Sequence, residues 1–383
     1  MHRVGVIGGG QLAWMMGMAA PSLSVELVVQ TPHREDPAVV MAADVIIATI
    51  ADAAATAQLA TCCDVITFEN EFVDITALSA LAHQGICFRP SLDTLAPLLD
   101  KYDQRCYLRN LGLPVPAFFP VIDQQASALE YFTLPIVLKA RRHGYDGQGT
   151  WIVHDQETWD KLLPTLATTP LLAEAYVPFE RELAVIAARS TTGEILIYPL
   201  VETQQVNRIC QRAIAPAAVD ETVRQSATAI ADNLLTALGA VGVFAIELFL
   251  TADGKLLVNE VAPRVHNSGH FSLDACITSQ FAQHLRAVCG LPLGDPALKP
   301  GYAGAVMVNL LGYEAVNSDY LPQRQQLANI PYAHVYWYGK SESRPGRKLG
   351  HVTVLVPDRP GVNLQQATAE IITQVESIWY RQA

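Results

Sequence analysis

Charged residues are scarce in this sequence, and cations are the scarcer kind. Lys and Arg number 26 against 37 Asp and Glu, which gives a formal net charge of −11. Nucleic-acid surfaces need clustered Lys and Arg, so this balance argues against a nucleic-acid partner, although a few concentrated cations can still bind a small phosphate. Half of the residues are hydrophobic, which excludes a disordered chain and provides for a large core.

Three other signals are also missing. No uninterrupted run of about 18 apolar residues occurs, so we expect no membrane span. The seven cysteines are scattered and lack Cys-x-x-Cys spacing, which argues against a disulfide framework or a structural zinc site. The chain starts directly with an apolar strand at Val4–Ile7, without the basic and apolar regions of a secretion signal. We therefore expect a cytoplasmic protein with reduced thiols.

The order of apolar segments predicts three α/β units, at 1–98, 99–300 and 301–383. In the first unit short apolar strands alternate with helices, which is typical of a parallel sheet covered on both faces. The strands predicted there are Val4–Ile7, Val25–Val29, Val45–Ile46, Val65–Thr67 and Ile86–Phe88. The second is strand-rich with glycine loops, and the third is smaller. The helices predicted after the first unit are Tyr102–Leu111, Gln225–Leu238 and Leu273–Cys289. The strands predicted in the third are Ala305–Asn309, Ala333–Tyr338 and His351–Val356.

A glycine turn from Gly8 to Ala13 follows the first predicted strand and matches G-x-G-x-x-A. Such a turn can present helix N–H groups to a phosphate. A dinucleotide site also needs an acid at the end of the second strand, where this chain has Gln30-Thr31-Pro32. A nicotinamide site is therefore disfavoured. Two explanations stay open: a phosphate of another ligand, or a glycine turn needed for close packing.

A second glycine loop follows a strand that ends in a lysine, Ile136–Lys139. Three glycines, at 144, 147 and 149, make a loop whose backbone can approach phosphates closely. A lysine at the end of an apolar strand needs an anionic partner. The pattern favours a phosphate site, against the alternative of an ordinary hairpin with Lys139 extended to solvent.

The most informative pattern is a pair of acids in a predicted hairpin. Asp253-Gly254 separates two apolar runs, which predicts a type I′ turn and places Glu247 directly opposite Glu260. A four-residue loop would instead place the two acids diagonally, still on one face of the hairpin. Like charges at such a distance are destabilising, so the pair calls for a cation. Magnesium suits it, because it takes one or two carboxylates and completes its shell with phosphate and water. The alternative is that one acid is exposed or paired with an arginine.

Two further polar segments are candidates for anion binding. After Glu260 come Arg264, whose planar fork suits carboxylate, bicarbonate or phosphate, and His266 and Asn267. Asn-Ser-Gly between His266 and His270 opposes a helix, so a two-histidine metal site is not expected. The run from 339 to 351 concentrates cations in an acidic chain, as an anion-binding loop or as a solvated turn.

These residues together resemble the N5-carboxyaminoimidazole ribonucleotide synthetases, ATP-grasp enzymes of purine biosynthesis. The resemblance runs in order through nearly the whole chain, and the Asn-Glu-x-Ala-Pro-Arg-x-His-Asn-Ser-Gly-His run is its most specific part. The matching segments are Gly8–Leu12, Thr67–Glu71, Asp100-Lys101, Gly144–Gly149, Asn259–His270 and Gly346–His351.

The resemblance implies an N-terminal Rossmann-like domain, a central ATP-grasp domain, a small C-terminal domain and a homodimer. The residues implied to bind ATP are Lys101, Lys139, Gly144, Tyr145, Asp146, Gly147, Gln148, Gly149, Glu174, Val177, Glu182, Gln205, Asn259 and Glu260. Those implied for bicarbonate and the ribonucleotide are Gly10, Gln11, Glu69, Glu71, Asn267, Lys340, Arg347 and Lys348. Catalytic roles fall to Tyr145, Asp146, Arg264 and His266. Magnesium, with manganese as an alternative, falls to Glu247 and Glu260.

Two positions depart from the family pattern. The family usually has Gly-Arg where this chain has Ala13-Trp14, and a histidine common near the nucleotide is Gln205 here.

The chemistry that the resemblance implies is ATP-dependent carboxylation of aminoimidazole ribonucleotide by bicarbonate, through carboxyphosphate or CO₂ released from it. Asp146 or His266 is expected to handle the amine proton. The rival functions are a formate-using glycinamide ribonucleotide transformylase, a nicotinamide oxidoreductase and a non-catalytic nucleotide-binding regulator.

Overall fold

The computed structural model describes residues 2–121, 133–142, 144, 148–166, 168–340 and 342–380. Its strands are β1 His2–Ile7, β2 Val25–Thr31, β3 Asp44–Ile47, β4 Val65–Phe68, β5 Phe118–Val121, β6 Ile136–Ala140, β7 Thr150–Val153, β8 Leu171–Ala175, β9 Phe179–Arg189, β10 Ile195–Ile197, β11 Val201–Val206, β12 Ile209–Ala215, β13 Gly242–Thr251, β14 Leu256–Ala262, β15 Tyr302–Leu311, β16 Val316–Asn317, β17 Ala333–Trp337, β18 Glu342–Ser343 and β19 Lys348–Pro357. Its α-helices are α1 Gln11–Ala19, α2 Ala53–Ala60, α3 Ile75–His83, α4 Leu92–Leu95, α5 Lys101–Asn110, α6 Gln156–Leu162, α7 Glu221–Ala237, α8 Ser272–Ala275, α9 Gln280–Cys289, α10 Leu321–Ala328 and α11 Leu364–Trp379.

The N-terminal unit is a parallel sheet with strand order β3-β2-β1-β4. The predicted alternation of strands and helices is confirmed here. The last predicted strand, around Phe88, is reduced to one parallel bridge between Phe88 and Ile66. Helix α1 leaves the end of β1 at the glycine turn, and Trp14 packs edge-on against Tyr336 and Tyr338. The departure at Ala13-Trp14 thus supplies an aromatic contact between the first and last parts of the chain.

Two main antiparallel sheets, and a separate antiparallel pair of β16 with β18, contain the remaining strands of the described residues. The smaller has the order β5-β8-β6-β7, and the larger has the order β14-β13-β9-β11-β12-β15-β19-β17, with β10 beside β9. Strand β12 pairs with β15, so the strands of the C-terminal segment continue the large central sheet. The three strands predicted after residue 301 are confirmed; β15 and β19 are longer than expected, and β17 ends one residue earlier, at Trp337.

The large sheet has two chemically different faces. On β13, Phe244, Ile246 and Leu248 are buried in one cluster with helix α7. The alternating residues Glu247 and Phe249 therefore point to the opposite face, because successive side chains of a strand alternate. On that opposite face, Glu247 and Phe249 line a cavity.

The predicted helix Leu273–Cys289 is wrong as a single element. It is two helices, α8 and α9, separated because Cys276 is extended (φ −101°, ψ 155°) and bridges Leu298. Ser279 then caps the second helix by accepting a hydrogen bond from the Ala282 N–H. The apolar spacing continued across the break, so periodicity alone did not reveal it.

Helix α9 also joins the N-terminal unit to the large sheet. The buried His284 accepts a 3.0 Å hydrogen bond from the Val243 N–H at Nδ1, so its Nε2–H donates to Thr67 Oγ1 at 2.7 Å. Burial lowers the pKa of His284 to about 4. One neutral imidazole thus links β4 to β13.

No helix in the described ranges is both long and apolar enough to cross a bilayer. All seven cysteines are free thiols, and the sulfurs of the neighbouring Cys62 and Cys63 lie 3.9 Å apart.

Candidate active site

A cavity of about 520 Å³ lies between the two antiparallel sheets and reaches the first glycine turn. Sequence-predicted residues that line it are Gln11, Glu69, Glu71, Lys101, Lys139, Gly144, Gln148, Glu174, Val177, Glu182, Gln205, Glu247, Asn259, Glu260, Arg264, His266, Asn267 and Lys348. Gly10, Gly149, Lys340 and Arg347 lie next to these residues without lining the cavity. Tyr145, Asp146 and Gly147 lie outside the described residues.

The two acids of the hairpin face each other, although the predicted turn is wrong. The turn is a three-residue one, in which the Thr251 N–H donates to the Lys255 carbonyl and Gly254 takes φ +77°. Near the turn the pairing is therefore one residue out of the predicted register. A bulge beyond Glu247 restores it, so that Glu247 lies opposite Glu260 as predicted.

The bulge determines where the polar side chains point. Val258 and Val261, three positions apart, are both buried in the cluster under α7. Asn259 and Glu260 between them line the cavity together. A regular strand would have sent one of these two into the apolar layer.

The paired carboxylates have different electrostatic surroundings. Burial and the negative charge of Glu260 raise the pKa of Glu247 to about 7. Burial also acts on Glu260, but the Lys101 ammonium, 2.6 Å from its Oε2, brings the pKa of Glu260 below the ordinary value. Two opposed carboxylates of which one resists ionisation are a donor set that fits a divalent cation.

Lys139 and Glu174 form a buried ion pair next to the acids. The Lys139 ammonium donates to Glu174 Oε2 at 2.7 Å and to Asn259 Oδ1 at 3.0 Å. Arg105 pairs with the other oxygen of Glu174 and donates to the Asn259 carbonyl at 2.5 Å. Burial disfavours the charge of Glu174, but Arg105 and Lys139 together lower its pKa to about 2. The Glu174 carboxylate is thus engaged with two protein cations.

Helix α5 supplies three of the residues around the acids. Asp100 caps it by accepting hydrogen bonds from the N–H groups of Tyr102 and Asp103, which places Lys101 in the first turn. Gln104 receives the Val261 N–H at 2.9 Å and donates to the Val261 carbonyl at 3.1 Å, so the helix is fastened to β14. Sequence reasoning missed Gln104 and Arg105. Their signal was the spacing with Lys101 and Leu108, which places all four on one face of a helix.

One end of the cavity is apolar. Val137, Ile152, Phe179 and Phe249 line it, and the two phenylalanine rings stack with centroids 4.5 Å apart. Phe249 was also missed, although it follows Glu247 by two residues and so shares its face. A flat aromatic base fits a wall of this kind.

Beside the apolar wall lies a carboxyl group with a neutral partner. Burial raises the pKa of Glu182, while a hydrogen bond from the Gln205 side chain acts in the opposite direction. Gln205, which stands where the family commonly has histidine, thus contacts Glu182 directly.

The second glycine loop borders the cavity through its described members. Gly144 and Gln148 line it, and Gly149 takes φ +73°, a conformation that other residues rarely adopt. The Thr150 carbonyl at the end of the loop receives a 2.6 Å hydrogen bond from Arg208. Arg208, at the tip of the β11–β12 hairpin, is another residue that sequence reasoning missed.

On the other side of the acids, Arg264 lies in a planar pair with Glu71, at 2.6 and 3.1 Å. Desolvation acts against the charge of the half-buried Arg264, but the charge of Glu71 keeps the pKa of Arg264 above its usual value. His266 lies with Nε2 3.7 Å from Glu247 Oε1. Both side chains therefore lie beside the carboxylate pair, as the order of the sequence motif suggested.

The side chain of Asn267 is held by a residue of the C-terminal segment. Its amide exchanges two hydrogen bonds with Asn309 of β15, at 2.9 and 2.7 Å. Asn309 also donates to the Cys210 carbonyl at 2.9 Å. The loop after β14 is thereby tied to β12 and β15, and Asn309 is a further residue missed from the sequence.

The first glycine turn surrounds a buried acid. The Leu12 N–H donates to Glu69 Oε1 at 3.3 Å, and a Cβ on Gly10 would lie 2.3 Å from that oxygen. Gly8 takes φ +113°, and a Cβ on Gly9 would lie 2.4 Å from Thr31 Oγ1. Close packing therefore accounts for all three glycines. A phosphate at this helix N-terminus stays a prediction.

The cations of the last segment are split between the cavity and its edge. Lys348 lines the cavity. Lys340 donates to Gln11 Oε1 at 3.1 Å and to the Lys348 carbonyl at 3.0 Å, which brings it beside the first glycine turn. Arg347 contacts Glu342 at 3.2 Å. Lys340 and Lys348 thus form a cationic edge of the cavity beside the first glycine turn.

Three family models match the chain along its length. They are the ribonucleotide synthetase preATP-grasp domain at 1–97, the ATP-grasp domain at 106–281 and the phosphoribosylaminoimidazole carboxylase C-terminal domain at 305–364. With the two sheets around a cavity lined by lysines and paired acids, these matches define an ATP-grasp enzyme.

Individual relatives identify the family within that class. The chain is 53% identical to the N5-carboxyaminoimidazole ribonucleotide synthase of Synechocystis sp., over 99% of this chain and 98% of the relative. It is 51% identical to the enzyme of the same name from Synechococcus elongatus, over 99% and 96%. The structure of the Aspergillus clavatus synthase in complex with ADP and 5-aminoimidazole ribonucleotide superposes with a TM-score of 0.90 at 31% identity, covering 100% of this chain and 99% of that one. The chain belongs to the N5-carboxyaminoimidazole ribonucleotide synthase family.

Proposed function

We propose that this chain carboxylates 5-aminoimidazole ribonucleotide with bicarbonate at the expense of ATP, in de novo purine biosynthesis. The products are N5-carboxyaminoimidazole ribonucleotide, ADP and phosphate. The observation that carries the proposal is one continuous cavity whose two ends are lined by chemically different residues. An apolar wall and two lysines, Lys101 and Lys139, suit a nucleoside triphosphate, while Arg264 and the cationic edge suit small anions and a second phosphate.

At the first end, Phe249 and Phe179 would cover the base and Glu182 would receive the ribose hydroxyls. Lys101 and Lys139 would bind the phosphates and spread the charge that develops during phosphoryl transfer. Glu247 and Glu260 would hold magnesium, with manganese as an alternative. When bound, the metal supplies positive charge to the phosphate oxygens.

At the second end, Arg264 is directed by Glu71 and would hold bicarbonate. A bicarbonate oxygen bonds to the γ-phosphorus and ADP leaves, which gives carboxyphosphate. The substrate amine then bonds to its carbon, directly or after release of CO₂, while phosphate leaves and the nitrogen loses a proton. His266, close to Glu247, is one candidate to take that proton; Asp146 is the other.

The remaining expectations from the resemblance belong to this proposal too. A homodimer is tested by light scattering of the purified protein, and a cytoplasmic location by fractionation of the source cells. The predicted domain boundaries, 1–98, 99–300 and 301–383, are tested by limited proteolysis.

The deciding experiment measures ADP release with magnesium and ATP, adding the ribonucleotide and bicarbonate separately and together. We expect rapid release only with both substrates. Glu260→Ala should abolish release while keeping the thermal unfolding midpoint within a few degrees of the wild type, because Glu260 serves the ligand site. Release that needs formate and glycinamide ribonucleotide instead would overturn the substrate assignment and keep the ATP-grasp class.

A further inference from the structure

Lys101 contacts the acid that is the candidate metal ligand. Its ammonium lies 2.6 Å from Glu260 Oε2, and both side chains line the cavity. Lys101 also contributes positive charge at Glu247, the opposing acid. A lysine expected to bind phosphate thus pairs with the carboxylate expected to bind metal.

The neighbouring cation is held differently. Lys139 has two acceptors away from the pair, Glu174 at 2.7 Å and Asn259 at 3.0 Å. A shift of Lys139 toward Glu260 would leave Glu174 with only one of its two cations. Lys101 can therefore move away from Glu247 and Glu260, and so remove positive charge beside them, without disturbing the ion pair of Lys139 with Glu174.

The backbone under Lys101 is fixed, while its side chain is long. Asp100 caps α5, and Arg141 holds that carboxylate at 2.8 and 2.9 Å. The Lys101 N–H also donates to the Arg141 carbonyl at 2.8 Å. A flexible four-carbon stem on an anchored backbone lets the ammonium move by rotamer changes alone.

From these contacts we propose that Lys101 exchanges partners, pairing with Glu260 in the absence of ligands and with the nucleotide phosphates when metal and nucleotide bind together. Metal alone must compete with the ammonium for Glu260. Nucleotide removes that competition by supplying a second acceptor for the ammonium. The two ligands then bind with positive coupling, and Lys101 carries it. The inference rests on the proposed ATP and metal site and adds the residue that couples the binding of its two ligands.

The test measures Mn²⁺ binding by electron paramagnetic resonance of the free ion, with and without ADP. In the wild type, ADP should tighten Mn²⁺ binding at least about fivefold. Lys101→Met should bind Mn²⁺ without ADP at least about fivefold more tightly than the wild type and should gain little from ADP. Lys101→Gln provides a second uncharged variant, and Lys101→Arg, which keeps the charge, should retain weak binding without ADP. Lys161→Met, at an exposed surface pair with Glu157, is the matched control and should behave as the wild type.

Three outcomes of the Mn²⁺ titrations would overturn the proposal. Equal Mn²⁺ affinity of Lys101→Met and wild type without ADP overturns the exchange. Tighter Mn²⁺ binding by Lys101→Met with an undiminished gain from ADP also overturns it, because Lys101 then acts only by repulsion. If the wild type binds no Mn²⁺ even with ADP, the metal assignment of the proposed function fails, and this inference fails with it.

Discussion

Arg105→Met should destabilise the protein through Glu174. The ion pairs with Arg105 and Lys139 lower the pKa of the buried Glu174 from 4.5 to about 2. A folded-state pKa below the unfolded value stabilises the fold at every pH above 4.5, and the contribution is lost as the pH falls toward 2. At neutral pH the shift corresponds to roughly 3 kcal/mol, shared between the two cations.

Removal of Arg105 leaves Glu174 with Lys139 alone and also frees the Asn259 carbonyl. We expect a loss of about 2 kcal/mol at pH 7, since a buried charge that loses part of its pairing is strongly destabilising. The measurement is urea unfolding followed by circular dichroism. Arg109→Met is the matched control, because Arg109 lies one turn further along the same helix, is exposed and should matter little.

A double variant separates charge pairing from loss of packing. Arg105→Met with Glu174→Gln removes both partners, so it should lose less stability than the sum of the single variants, by about 1 kcal/mol or more. Strict additivity, or an Arg105→Met variant as stable as Arg109→Met, would refute the reasoning.

Two further predictions concern pH and the base. His284 should lower the free energy of unfolding of the wild type by about 2 kcal/mol between pH 7 and pH 5, because its folded pKa of about 4 lies below its ordinary 6.5 and protonation favours the unfolded chain. The measurement is urea unfolding at both pH values, in which His284→Gln should lack this decrease of about 2 kcal/mol. A pH dependence of His284→Gln equal to that of the wild type would contradict the assignment. Phe249→Ala should raise the KM for ATP about tenfold, because the stack with Phe179 is lost. In steady-state assays of ADP release the KM for bicarbonate should stay unchanged. An equal rise of both KM values would show that the substitution disturbs the whole site rather than the base-binding wall.

Elements with a strong local pattern were predictable. Apart from the strand around Phe88, the alternating strands and helices predicted before residue 98 were correct, as were the strands predicted after 301, because each carries its own apolar run. Most of the described candidate site residues line one cavity, and the family motifs supplied them in order along the sequence; their roles stay a prediction. Local pattern failed at the break between α8 and α9, where the apolar spacing runs on past Cys276 although the backbone does not.

Residues that act on other site residues were harder to find. Arg105, Gln104 and Asn309 contact partners from 42 to 157 positions away in the sequence. The residues that flank them in the sequence do not indicate these contacts, because a buried polar residue needs a hydrogen-bond partner but the local sequence does not show which distant residue provides it. Only the helical spacing of Gln104 and Arg105 with Lys101 was available as a signal.

The paired acids show how a correct pairing followed from an incorrect turn. The type I′ turn placed Glu247 opposite Glu260 in a regular ladder, whereas the real three-residue turn offsets the ladder by one residue and the bulge at Asn259 restores it. The bulge had a signal in the sequence: Leu256 and Val258 are two apart, but the next buried apolar residue, Val261, follows after three. An extra residue there is the only way to keep all three in the apolar layer. The same irregularity turns Asn259 and Glu260 into the cavity together, so the spacing of three apolar residues determines the geometry of the candidate metal site.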